Sequence, residues 1–549
     1  MDFATMLVVL LAIPLIAALL MAVLPSKAVP AAAYESIHIL SVGAVCVLAI
    51  YLIVNEFVSG TAIEACGLWF RLDGLGSIFA TLIGVIGLLT GIYSIAYVRH
   101  DIEIGNMGPG QVKQYYVFFS LFVFSMLLVV TSNNIIMMWA AIEATTLATV
   151  FLVGSYNTKL SLEAAWKYVI VCTAGVAFGL YGTVLVYANA NALMADPTQA
   201  VFWTSILPYA TQFDAQLIQI AFVFAAIGFG TKAGLFPMHT WLPDAHSEAP
   251  SPVSALLSGV LLKCAMLIVI RFYILAIQAV GPTFPQTVML ILGAISVGMA
   301  ALAVFSQDDL KRKLAYHSCE NIGIVALCLG FGGPLGIAAA LLHCVTHGFT
   351  KALLFCISGN VLMKYGTRDL NKISGILRVA PTTAVLMAIG FFALAGFPPF
   401  AMFVSEIMAF AAGVLGGHIA LVVLFGIALT IVVAACVHVV TGAVFGEAPE
   451  TVKKGDVGAL ALAPEIIMVA VILWFGVAMP SRLSLASRTR PPSFCSPTST
   501  RCTKSPCSRA SSAHRKRWNK EELWLQQQNL ARGCASRISR RFRITSPEL

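Results

Sequence analysis

The chain has 549 residues, 59% hydrophobic and only 11% charged, where a soluble domain carries about 25% charged residues. With a mean hydropathy of +0.88, most of it must face lipid or other buried helices, which excludes a soluble enzyme, a nucleic-acid-binding protein and a secreted disulfide scaffold. The formal charge of +9 misleads, because residues 481–549 hold 15 Lys and Arg against 3 Asp and Glu, leaving residues 1–480 at net −3.

A helix needs about 20 apolar residues to cross a bilayer. Fourteen such helices are predicted, near 4–25, 33–57, 75–98, 114–131, 133–155, 163–190, 216–238, 250–278, 286–306, 310–331, 335–363, 381–412, 417–446 and 459–479. The first lacks the Lys or Arg of a signal peptide's start and is read as a retained span. The expected fold class is therefore all-α integral membrane. Loops after odd-numbered helices carry Lys27, Arg99, Lys159, Lys311, Arg368 and Lys453 among others. Loops after even-numbered helices carry almost nothing basic, Arg71 excepted. Basic loops stay in the cytoplasm, so the N-terminus is expected outside. Residues 481–549 put 15 basic residues on the wrong side and show no apolar period. They read as a disordered natural extension or as a frame-shifted translation, and both readings stay open.

Ionisable residues inside a membrane are expensive and mark function by default. Here they are many: Glu143 on helix 5, Lys232 on helix 7, Lys263 on helix 8, His317 and Glu320 on helix 10, His343, His347 and Lys351 on helix 11, and Glu406 on helix 12. Any one of them alone is readily explained as an ion-pair partner or a snorkelling lysine. A bundle that only holds its shape has no need to bury all of them. The mixture of carboxylate, Lys and His suits proton relay better than the uniform charge rings of an ion pore. His343 and His347 stand at i and i+4, but Lys351 continues their stripe and repels a metal. Nor do the 13 Cys show ligand spacing, so no metal or cofactor is expected in this chain.

Helix 7 contains Gly228, Gly230, Gly234 and Pro237, and helix 12 contains Gly396, Pro398 and Pro399. Breaks at matching places in two halves point to an inverted repeat, with helices 4–8 and 9–13 as the halves. The expected organisation is 1–113 for helices 1–3, 114–278 and 279–447 for the two repeats, 448–480 for helix 14, and 481–549 for the tail. The stretch after helix 7 is predicted as a loop, with His239, Asp244 and His246 at the cytoplasmic mouth of a proton path. The competing reading is helix termination by Pro243, Pro250 and Pro252, with Asp or Ser capping helix 8.

The stretch KAGLFPMHTWLPDAHSEAPSPVSALLSGVLLK from Lys232 to Lys263 resembles the signature of the antiporter-like proton-translocating subunits of respiratory complex I. So do DDLKRKLAYHSCENIGIVAL (308–327), HCVTHGFTKALLFCISGNVL (343–362) and GFPPFAMFVSEIM. The resemblance implies fourteen core helices, two inverted five-helix repeats and broken helices 7 and 12. It matches Glu143, Lys232, Lys263 and Glu406 to the family's charged residues and makes Glu143 and Lys232 an interacting pair. A glutamate at the helix 12 position makes the chain M-like. His317 and Glu320 depart from the pattern, and residues 143–170 look most like the F component of hydrogenase-4-type complexes. Such complexes are group 4 membrane-bound [NiFe] hydrogenases related to formate hydrogenlyase. The expected function is proton translocation within a hydrogenase-4-like or complex-I-like assembly whose partner subunits hold iron–sulfur clusters and nickel–iron. The partners are other membrane subunits and a peripheral arm with hydrogenase large and small subunits. A subunit of a multi-subunit Na⁺/H⁺ antiporter and a structural hydrogenase anchor are the alternatives.

Overall fold

The protein is described by a computed structural model covering residues 2–477; the tail at 481–549 lies outside the described residues. Helices 1 (Phe3–Val23), 2 (Ala31–Ser59), 3 (Gly74–Glu103), 4 (Pro109–Thr131), 5 (Ile135–Val153) and 6 (Lys159–Leu193) are continuous. So are helices 8 (Ser251–Val280), 9 (Thr283–Phe305), 10 (Leu310–Phe331), 11 (Gly333–Tyr365), 13 (Ile419–Val444) and 14 (Ala459–Val477). Helix 7 is in two pieces, Ala215–Ala233 and Trp241–Glu248. Helix 12 is too, as Pro381–Leu394 and Ala401–Leu415. The chain is thus a multi-pass membrane protein.

Local chemistry sets the helix ends. The first backbone N–H groups of a helix have no partner within it, and in lipid they cannot be left bare. Asp2, Asp73, Asn134, Thr158, Asp214 and Asp309 cap helices 1, 3, 5, 6, 7 and 10 with side-chain oxygens. Helix 8 does not follow the capping reading: Pro250 precedes it without a side-chain cap, and the Ser251 hydroxyl has no hydrogen-bond partner.

The region after helix 7 corrects the expected loop. Helix 7 stops at Ala233 because Gly234 turns left-handed at φ +87°, a conformation that suits glycine. Residues 241–248 then form a helix of their own, so His239 lies in the break while Asp244 and His246 are helical. Pro243 falls in the first turn, where a missing N–H breaks no helical bond. Helix 12 breaks in the same way, at Gly396 with φ +67°.

Helix 4 packs on 5, 5 on 6 and 6 on 7 in the first half; 9 packs on 10, 10 on 11 and 11 on 12 in the second. Five is odd, so the second set starts from the opposite side of the membrane. One face is closed by an antiparallel ribbon that the helix count did not foresee, β1 (Ile63–Ala65) with β2 (Phe70–Leu72). Short helical turns over residues 197–212 close the same face. The Asn133 amide joins these pieces, donating to Leu68 O and Thr204 Oγ1, each at 2.9 Å. Beneath the ribbon, Arg271 of helix 8 forms a bidentate pair with Asp73 at 2.5 and 2.7 Å and lies over the Trp203 ring. The other face holds the basic loops.

Arg271 is only 4% exposed, and stranding a buried charge costs about 3–5 kcal/mol. Asp73→Ala is therefore expected to lower the thermal unfolding midpoint of the detergent-solubilised protein, and Asp73→Ala with Arg271→Met to recover most of the loss. Equal midpoints for the parent and the single variant would show that the pair does not hold helices 3 and 8 together.

Candidate functional site

Lys232 ends the first piece of helix 7 with no exposed surface. Its ammonium donates to Thr146 Oγ1 of helix 5 at 2.8 Å and to Tyr168 Oη of helix 6 at 2.5 Å, and it sits 4.4 Å from the Tyr168 ring centre. Trp241, the first residue of the second piece, covers the same ammonium at 5.8 Å. Glu143 is half-buried and accepts from Thr173 at 2.8 Å and from Thr146 at 3.4 Å. Glu143 and Lys232 thus share the Thr146 hydroxyl rather than touching; no direct ion pair within 4.0 Å joins them. Tyr168 and Thr146 were not singled out from the sequence, since hydroxyls in apolar helices look ordinary there.

His246 stands between the halves. It is fully buried, its ring lies 6.1 Å from Trp241 and 5.5 Å from Phe355 of helix 11, and neither nitrogen has a partner. Asp244 points to the basic face instead, in ion pairs with Arg312 of helix 10 and Lys167 of helix 6. Glu248 and Ser247 bind Arg368, which also pairs with Asp309 at 3.1 Å. His239 is partly exposed beside Phe236, and no hydrogen bond among the described residues ties it to the buried groups.

Lys263 is central and fully buried. Its ammonium donates to the Ser258 carbonyl. Residues 257–261 form a π-helical turn, a widening common at functional sites, and the Ser258 carbonyl belongs to it. The Ser258 hydroxyl meets Ser318 of helix 10 at 2.7 Å. Helices 8 and 11 cross backbone to backbone: a Cβ on Gly259 would lie 3.0 Å from Gly348 O, and one on Gly348 2.8 Å from Gly259 O. Small residues permit such crossings in membranes, and this one brings helix 8 against the helix 11 turn that bears His347 and Lys351.

The second half collects the remaining residues. Lys351, fully buried, donates to Leu314 O at 2.5 Å. His317 Nδ1 is 4.0 Å from Glu320, and its Nε2 lies 3.7 Å from Cys436 Sγ of helix 13. Asn321 donates to Glu320 at 2.6 Å and faces His343 Nε2 at 3.0 Å, while His343 Nδ1 meets Ser405 at 2.9 Å. His347 stacks on His343 at 6.1 Å with both nitrogens unpartnered. Glu406, one residue past Ser405, lies directly over the left-handed turn at Gly396, where any Cβ would strike its carboxylate. The predicted intramembrane residues thus run through helices 5, 7, 8, 10, 11 and 12. Lys232, Lys263 and Lys351 donate to neutral oxygens, with no carboxylate within 4.0 Å among the described residues. Sequence reading passed over Glu465 of helix 14, fully buried on Asn360. An intramembrane carboxylate is signal enough to have found it.

The family model described as NADH:quinone oxidoreductase/Mrp antiporter, TM matches residues 132–432. The Hydrogenase-4 component F homolog of Methylacidiphilum infernorum (isolate V4) is 40% identical over 348 residues, which cover 62% of this chain and 72% of that protein. The chain spans about half the length of three further curated relatives that it matches. A chain of the membrane-bound sulfane sulfur reductase, an archaeal respiratory membrane complex, superposes with a TM-score of 0.78 at 21% identity, over 88% of this chain and 96% of that one. A chain of the Mrp complex from Dietzia sp. DQ12-45-1b does so with 0.77 at 20% identity, over 89% and 97%. At these identities the likeness is one of fold.

Hydrogen bonds to charged groups contribute about 1.5–3 kcal/mol, and Thr146 is the one hydroxyl bonded to both Glu143 and Lys232 among the described residues. Thr146→Val is therefore expected to slow charge movement through the assembled protein severalfold, with Thr146→Ser near the parent rate. Flux in inverted membrane vesicles checks this; parent-like flux in the Val variant would remove Thr146 from the path.

Proposed function

This chain belongs to the membrane-subunit family of NADH:quinone oxidoreductases and Mrp antiporters, and from that premise we propose that it is the proton-translocating subunit of a hydrogenase-4-like redox assembly. One observation carries the reading: three lysines with no exposed surface, spread over helices 7, 8 and 11, are held by hydroxyls and carbonyls with no counter-carboxylate in contact among the described residues. Desolvating an ammonium is costly unless it is paired. A bundle built only for stability would pair such groups or replace them. An amine held by neutral acceptors can instead lose and regain a proton without breaking an ion pair, which is what a relay needs.

The order of the groups suggests the route. Charge on Glu143 influences Lys232 through Thr146. Lys232 communicates with the centre past Trp241 and His246. Lys263 passes protons to the helix 10 and 11 cluster, and Glu406 forms the far end. Opposite charges on Glu143 and Lys232 attract across the shared Thr146 hydroxyl, so a change of charge on one alters how the other holds its proton. Electron transfer is assigned to partner subunits carrying iron–sulfur clusters and nickel–iron, in a prokaryotic plasma membrane with the basic loops in the cytoplasm and the N-terminus outside.

Purification of the native assembly through an N-terminal tag tests the assembly class. A nickel-containing large subunit among the co-purifying chains is expected; small antiporter subunits in its place would establish cation/proton antiport. Lys263→Ala is expected to abolish ion movement while the partners keep activity with artificial acceptors, and full pumping by this variant would refute the relay. Glu143→Gln is expected to assemble with strongly reduced translocation. If it fails to assemble and Lys232→Met restores assembly, the two residues form a structural pair.

A further inference from the structure

Helix 14 lies outside the row just described, yet it carries a carboxylate as deeply buried as any in the protein. Glu465 has no exposed surface. Its two oxygens share a single donor, the Asn360 amide, at 2.8 and 3.0 Å, and no cation lies within 4.0 Å among the described residues. Asn360 is itself oriented by Tyr93 of helix 3, whose hydroxyl donates to Asn360 Oδ1 at 3.0 Å and to Cys356 O at 2.7 Å. With Oδ1 so engaged, the amide nitrogen must face the carboxylate. Tyr93 and Cys356 are the titratable neighbours on helices 3 and 11.

A file of hydroxyls leads from this site to the basic face. Tyr97 lies one turn beyond Tyr93, their ring centres 6.1 Å apart. The Tyr97 hydroxyl is 3.1 Å from that of Tyr156, which bonds Asp101 at 2.7 Å beside the exposed Asn157. Ser251 stands against the gap between the two helix 3 tyrosines: the Tyr93 hydroxyl and Ser251 Oγ both crowd the point that a Cβ on Gly359 would occupy. The Ser251 hydroxyl is fully buried and unpartnered.

We propose that Glu465 is a further proton-carrying residue, loaded from the basic face along Asp101, Tyr156, Tyr97, Ser251 and Tyr93 and held in place by Asn360. This rests on the translocation reading above and adds to it a source for Lys351. Each transfer moves one proton. Asp101 gives its carboxyl proton to Tyr156, and each hydroxyl releases its own proton inward as it accepts the next, then rotates back. Water bridges the gaps longer than a hydrogen bond, including the last one past Asn360, which does not itself carry the proton. Glu465 goes from carboxylate to neutral acid, and Asp101 returns to carboxylate. Helix 11 joins the two sites: Asn360, which holds Glu465, stands nine residues beyond Lys351 on it, about 13 Å along the axis, a gap that the proposal gives to water.

The test uses the intact assembly in inverted vesicles energised by its own electron donor, with Lys263→Ala alongside. Glu465→Gln keeps the volume and a carbonyl for Asn360 but cannot carry the proton. It is expected to assemble and to translocate about tenfold more slowly, with Glu465→Asp recovering part of the rate. A carboxylic-acid C=O band that appears in the infrared difference spectrum of the parent on energisation should be absent in Glu465→Gln; a carboxyl with a merely structural role gives no turnover-dependent band. Parent-rate pumping by Glu465→Gln while Lys263→Ala is inactive overturns the proposal and leaves the relay standing. Parent rates in both overturn the translocation reading, and this proposal with it. Should Glu465→Gln not assemble, Tyr97→Phe decides: it removes one hydroxyl of the file and touches neither Asn360 nor Glu465, so slowed pumping supports the route and parent-rate pumping overturns it.

Discussion

The row of charges in this bundle is arranged around three ammonium groups that have left water with no carboxylate within 4.0 Å among the described residues. Water would solvate each of them strongly; hydrocarbon would not. They are compensated by oxygen supplied at short range, the Tyr168 and Thr146 hydroxyls for Lys232 and the Ser258 and Leu314 carbonyls for Lys263 and Lys351, with aromatic rings over Lys232 and Lys351. In a regular helix every interior carbonyl already serves its own ladder. The π-helical turn at 257–261 loosens the ladder beside Lys263. The interrupted helices 7 and 12 do the same beside Lys232 and Glu406. The π-helical turn and the two breaks thus lie beside Lys263, Lys232 and Glu406, whereas the charged groups of helices 10 and 11 sit on unbroken helix.

The two halves solve this differently. In the first half one lysine is held by hydroxyls and faces a half-buried glutamate across a threonine. In the second, Lys351 shares its surroundings with His317, Glu320 and His343, linked through Asn321 and Ser405. The first half has few titratable groups and a direct electrostatic lever. The second has many, which suits storage and redistribution of protons more than switching. Backbone contact between Gly259 and Gly348 brings the two systems together without any side chain lying between them.

Much of the architecture was legible because its causes are local. Twenty apolar residues make a span, and Gly234 and Gly396 mark breaks, with no knowledge of neighbours required. The buried charges were equally plain, each being an isolated polar letter in an apolar run. What could not be read depends on pairing over long separations. Asp73 and Arg271 stand 198 residues apart, and the hydroxyls of Thr146 and Tyr168 matter only because Lys232 comes between them. The segment 241–248 was misjudged for a related reason. Its prolines and charges look like a loop, and it is helical because Pro243 falls in a first turn and the charges find Lys167 and Arg312 on other helices and Arg368 in the chain after helix 11.

Those same ion pairs bear on how such a protein can be built or divided. The second piece of helix 7 is covalently part of the first five-helix set, yet Asp244 and Glu248 are fastened to helix 10 and to the chain after helix 11, both in the second set. The first set thus lends the second a fragment at the basic face. A genetic splice at the helix 8–9 junction would separate the sequence cleanly and still tear that exchanged fragment from its anchors. The duplicated halves have become interlocked, and neither is a free-standing cassette.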